Sequence, residues 1–61
     1  MRDPNRIPRV LELLEKVWKE VPDLRLGQLI ENIARDMGWD DAYCVEDDDL
    51  EKELRKYIDL P

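Results

Sequence analysis

The sequence predicts an all-α fold: a compact three-helix domain with a longer loop between helices 2 and 3. Three observations carry this expectation. Apolar residues recur at steps of three and four in three separate segments. Pro22 and Gly38 punctuate the intervals between those segments. The alternating pair Tyr43 and Val45 is too short to build a sheet.

In the first segment the apolar residues are Ile7, Val10, Leu11, Leu14, Val17, Trp18 and Val21, one stripe of an amphipathic helix. This predicts a helix over residues 6–20. Asn5 is placed to cap it, and Pro8 falls at the third helical position, where a missing N–H costs no intrahelical bond. Pro22 forces Val21 out of the helical region and ends the segment.

The second stripe is Leu26, Leu29, Ile30, Ile33, Ala34 and Met37. Asp23 is the expected cap, and Gly38 supplies the left-handed residue that closes a helix. Trp39 then stands where a residue folds back onto the last turn. Gly27 costs up to about 1 kcal/mol against alanine in a helix. Either something approaches the backbone there or the chain tolerates glycine so near a helix start.

The third stripe, Leu50, Leu54, Tyr57 and Ile58, predicts a helix over about 48–58. The intervening loop is expected to lay Tyr43 and Val45 on the core. That core is expected to join Ile7, Val10, Leu11, Leu14, Val17 and Trp18 to Leu29, Ile30, Ile33 and Met37, and to Leu50, Leu54, Tyr57 and Ile58. Both Trp18 and Trp39 are read as core residues.

Sixty-one residues form one domain, 1–61. A chain of 7.3 kDa should expose roughly 4,200 Å² folded against about 10,600 Å² unfolded, which leaves about 3–5 kcal/mol of net stability. Cys44 has no second cysteine to pair with, which points to a reducing compartment, and its expected role is buried filler. The first ten residues hold no apolar run of signal-peptide or membrane-span length, so the expected location is cytoplasmic, with no membrane partner. Histidine is absent, which removes the commonest general base and zinc ligand. The net charge of −6 disfavours direct nucleic-acid binding. A helix-turn-helix reader is excluded on the same chemistry, since helix 3 opens with acids where base edges and phosphates would lie.

Charge is unevenly spread. Residues 1–37 hold seven bases and seven acids, whereas residues 38–61 hold three bases and nine acids. The run Glu46, Asp47, Asp48, Asp49 is explained in part by helix capping, because carboxylates suit the positive end of a helix. Asp47 or Asp48 would cap, and Asp48 with Glu51 has capping-box spacing. As a calcium loop the frame from Asp40 fails, with Ala42, Cys44 and Val45 at positions 3, 5 and 6. No metal or other cofactor is expected. Adjacent exposed carboxylates all ionise, serine and threonine are absent, and no glycine-rich phosphate loop exists. The chain is therefore not expected to be an enzyme.

Capping accounts for two or three acids, while eight fall between Asp40 and Glu53. The surplus motivates two readings. In the first, the protein is a non-enzymatic interaction module that binds another protein, a second copy of itself included. In the second, it is an acidic mimic of nucleic acid, of the kind phages make, that inhibits a DNA- or RNA-binding protein. The candidate partner-binding residues are Asp40, Asp41, Glu46, Asp47, Asp48 and Asp49. Arg6, Arg9 and Leu13 join them, placed by helical spacing with Lys16 on the side of helix 1 away from its stripe.

The segments Pro22–Asp23–Leu24 and Gln28–Leu29–Ile30, the leucine-rich first helix with Trp18, and the aspartate-rich start of the last helix with Leu50 together form a pattern. Over roughly residues 7–58 it resembles a group of very short bacterial and phage proteins. More distantly, it resembles the YihD-type domain of unknown function. The resemblance implies a small bacterial or phage protein and assigns no site residue.

Overall fold

The computed structural model describes residues 2–59 and contains α1 (Arg6–Glu20), α2 (Leu26–Asp36) and α3 (Asp47–Asp59), with no strand among the described residues. The all-α three-helix expectation holds. The boundaries fall within one or two residues of those the stripes predict.

The helix ends depart from the expected caps. Asn5 occupies the cap position of α1 with helical dihedrals and no side-chain capping bond. The preceding Asp3 does the work instead: its carboxylate accepts the Asn5 N–H at 2.9 Å, and its carbonyl accepts the Arg6 N–H at 3.2 Å. Asp23 is likewise not the cap of α2. Arg25 holds that position, and the Gln28 side chain reaches back to accept its N–H at 2.9 Å. Arginine has no acceptor to return the bond.

At the other end of α2, Gly38 adopts φ +91 as expected. The Trp39 N–H donates to Ala34 and the Gly38 N–H to Arg35, both at 2.9 Å, the pairing of a Schellman closure. Gly27 has open space around it: a β-carbon there would meet nothing within 4 Å. No close approach explains that glycine, and tolerance near the helix start is the reading that stands.

The core consists of Leu13, Val17, Leu29, Ile33 and Leu54, with Val10, Leu14, Trp18, Leu24, Met37, Leu50 and Ile58 half-buried against it. Expectations about the burial of seven residues are corrected. Leu13, expected on the outer side, is 7% exposed, whereas Ile7 and Leu11, expected in the core, are 50% and 56% exposed. Trp39 and Tyr57 are partly exposed rather than enclosed. Tyr43 is 95% exposed and does not lie on the core. Cys44 is exposed rather than buried filler.

The first of these has a geometric cause. Counting Leu13 among the apolar positions gives α1 two seams about 100° apart at about 100° per residue. One runs through Val10, Leu13 and Val17, the other through Ile7, Leu11, Leu14 and Trp18. A single neighbouring layer covers only one of them. The first seam wins because Arg6 and Arg9, which flank Leu13, find carboxylates on α3.

The packing between helices is closest for α1 and α3 and lighter for α2 and α3. The ion pairs join Arg6 to Asp47 and Arg9 to Glu51, so α1 and α3 run parallel and begin at the same end of the molecule. At the opposite end, α2 is tied to α3 by a short hydrogen bond from the Tyr57 hydroxyl to Asp36. The turn between α1 and α2 is fastened by the Trp18 indole, which donates to the Leu24 carbonyl at 2.8 Å.

Candidate interaction surfaces

Two surfaces stand out, and each takes residues that the sequence assigned elsewhere. The first is the shared N-terminal end of α1 and α3. Asp47, Asp48 and Asp49 form the first turn of α3, where unpaired N–H groups favour negative charge. Leu50 donates to the Glu46 carbonyl at 2.9 Å, which makes Glu46 the cap residue. The expected capping box of Asp48 with Glu51 does not form. Glu51 Oε2 instead accepts from Arg9 Nε at 2.8 Å and from Arg55 Nη2 at 3.1 Å.

The same end is stitched twice more, by Arg6 Nε to Asp47 Oδ2 at 2.6 Å and by Arg2 Nη2 to Glu46 Oε2 at 3.1 Å. The Arg6 guanidinium lowers the Asp47 pKa, chiefly through their hydrogen bond. Arg9 likewise holds the Glu51 carboxyl below its ordinary range, and Glu51 raises the pKa of Arg9 in return. A small depression of about 270 Å³ opens here, lined by the pairs Arg2–Glu46 and Arg6–Asp47 and by Arg9, together with Asp3 and Asp48. Every charge that faces it from α1 meets one of opposite sign nearby.

Of the residues expected to bind a partner, Arg6 and Arg9 of α1 are therefore engaged with Asp47 and Glu51 of α3, Glu46 pairs with Arg2, and Leu13 is inside the core. Asp40, Asp41, Asp48 and Asp49 are exposed and enter no ion pair among the described residues. Asp41 accepts the Tyr43 N–H at 3.0 Å and so shapes its own loop. The structure does not gather all six acids into one bare anionic patch. No group of three or more metal-ligating side chains that could hold an ion is found among the described residues.

The second surface is the outer seam of α1. Leu11, Leu14 and Trp18 line a shallow groove of about 410 Å³ with Pro22 and Leu26, and Glu15 and Lys19 form its charged edge. Ile7 extends the same row toward the helix start. Leu14 and Trp18 each turn one edge to the core and the other to the groove. Sequence reasoning missed this surface, although Ile7, Leu11, Leu14 and Trp18 are spaced four, three and four residues apart, the repeat of a helix-pairing seam. A third, larger cleft of about 730 Å³ opens over Val17, Leu29 and Ile33, next to Tyr57 and Ile58. Burial is the first cause and the Asp36 carboxylate the second by which the Tyr57 phenol is pushed up to about 12.

No helix among the described residues is long and apolar enough to cross a membrane. No family model matches the chain, and no solved structure matches it. Two proteins do: Protein YihD of Escherichia coli strain K12 and Protein YihD of Escherichia coli O157:H7, each 36% identical over 45 residues. The match covers 74% of this chain and 51% of the relative, so the chain spans about half the length of the proteins it matches. The chain is thus distantly related to YihD.

Proposed function

We propose that this chain is a non-enzymatic protein–protein interaction module that works through the outer seam of α1 rather than through its acids. The observation that carries the reading is the exposure of Leu11 and Leu26 in one groove that Trp18 also lines, with Ile7 exposed one turn further along the same helix row. Scattered apolar residues on a surface mean little, but a contiguous apolar row with a charged edge marks a docking site. An exposed thiol at Cys44 suits a reducing interior, which supports reading the module as one that works in the cytoplasm of a bacterial or phage-infected cell.

The nucleic-acid mimic reading draws less support. Three of its carboxylates, those of Glu46, Asp47 and Glu51, are occupied by Arg2, Arg6 and Arg9. A phosphate mimic needs them facing outward and unneutralised.

The test is a photo-crosslinking side chain placed at Leu11 in the full chain, expressed in its native host. Discrete adducts from position 11, and none from Asp49 on α3, are the expected result. Equal yields from both positions, or none from either, would remove the module reading.

A further inference from the structure

We infer that the ion pairs Arg6–Asp47 and Arg9–Glu51 form a rotational catch on α1. While they hold, the outer seam faces solvent. When they are released, α1 turns about its own axis and draws that seam inward, which withdraws the groove. The turn depends on no functional reading, whereas the consequence for docking rests on the interaction reading above. Three observations carry it.

The first is a mismatch between size and burial. The seam that meets the core is Val10, Leu13 and Val17, and the seam turned outward is Ile7, Leu11, Leu14 and Trp18. The outward side chains are the larger set, and the gain from burial grows with the apolar area removed from water. Leu14 and Trp18 recover part of that gain at the edge of the core, but Ile7 and Leu11 stay about half in solvent. Apolar burial alone would therefore turn α1 further in on this side.

The second is the force that holds it back. At about 100° per residue, Arg6 and Arg9 lie at the Leu13 edge of the apolar arc, and Ile7 and Leu11 lie at the other. A turn that draws Leu11 inward swings both arginines away from α3. The resisting pairs are close, at 2.6 Å and 2.8 Å, and partly dry, with the Arg6 side chain 23% exposed and that of Glu51 14%. Hydrogen-bonded pairs in such a setting count for more than freely exposed ones. Arg55, on the same helix as Glu51, fixes its carboxylate from the other side at 3.1 Å.

The third is freedom to turn. α1 packs mainly on α3 and only slightly on α2. The indole bond from Trp18 to the Leu24 carbonyl joins α1 to the turn that directly follows it, so this bond travels with the helix. The pairs Lys16–Glu12 and Lys19–Glu15 lie within α1 and are indifferent to its rotation. Arg2–Glu46 lies ahead of the helix, with both partners well exposed.

The experiment is methyl NMR of the full chain with a soluble gadolinium chelate, which broadens the methyl groups that water reaches. In wild type at low salt, Leu11 should broaden faster than Leu13, as their burial dictates. In the double variant Arg6→Gln with Arg9→Gln, the order should reverse while helical circular dichroism is kept. About 1 M salt should shift wild type in the same direction by screening the partly exposed pairs. Arg6→Asp alone should also reverse the order, and adding Asp47→Arg should restore it, a response to charge rather than to lost packing. An unchanged order in the folded double variant overturns the catch, as does an unchanged order in salt where that variant fails to fold. A swap that does not restore the wild-type order overturns it equally. A reversed order with undiminished crosslinking from position 11 sinks the withdrawal of the groove and leaves the module reading standing. No crosslinking from wild type, with the order still reversing, removes the module reading and upholds the turn.

Discussion

Leu13 and Leu11 are two residues apart on one helix, yet the structure gives them opposite duties. Leu13 is enclosed with Val17, Leu29, Ile33 and Leu54, whereas Leu11 lies half in solvent at the groove. Truncating a buried leucine removes its transfer energy and leaves a cavity, at a cost of about 2–5 kcal/mol. That loss is comparable to the whole stability expected of a domain this small. Leu13→Ala should therefore abolish the cooperative melt, read by circular dichroism at low protein concentration. Leu11→Ala under the same conditions should cost less than about 1 kcal/mol, since most of its surface is wet before and after folding. The reverse order would mean that α1 is rotated onto its other seam.

At the scale of elements, the two ends of the molecule are held by different chemistry, and pH separates them. The α1–α3 end relies on Asp47 and Glu51, whose pKa values are lowered by hydrogen bonds from Arg6 and Arg9. A depressed carboxylate stabilises the fold above its unfolded pKa, about 4, and loses that contribution as pH falls through the folded value. A chain with Arg6→Gln and Arg9→Gln should melt several degrees below wild type at pH 7, and the gap should close at pH ~2. It should also narrow in high salt, because these pairs are near the surface. The α2–α3 end relies on Tyr57, pushed up to about 12 by burial and by Asp36. Its contribution is intact below about pH 10 and is lost as pH rises toward 12. Tyr57→Phe should remove that alkaline loss, and absorbance titration on a Tyr43→Phe background should place the phenolate midpoint near 12.

Much of this element level was legible in the sequence. The ends of α1 and the left-handed closure at Gly38 follow from proline, glycine and periodicity alone. The rotation of α1 was not. A period locates an apolar face but does not say which half of a wide face meets a neighbour. That choice depends on Arg6 and Arg9 finding acids forty-one and forty-two residues away in the chain. The acidic run misled for the same reason: its counter-charges lie on another helix, out of reach of any local pattern.

For the molecule as a whole, the same rotation leaves a consequence in its thermodynamics. A chain with a radius of gyration of 11.4 Å is slightly larger than the roughly 10.5 Å expected of a compact domain of this length. It also leaves Ile7 and Leu11 half-exposed on the outer row of α1. If that row is covered by a second copy, association stabilises the folded state by mass action, because unfolded chains do not dimerise through it. The midpoint of thermal unfolding should then climb by several degrees between about 5 µM and about 500 µM, and the climb should vanish in Leu11→Glu. Salt gives an independent check on the same equilibrium. The net charge of −6 resides in residues 38–61, away from a groove whose edge pairs one acid with one base. Apolar contact dominates such an interface, so moderate salt should leave the concentration dependence nearly unchanged. A dependence that collapses between about 50 mM and about 500 mM salt would relocate the contact to the charged end of α3.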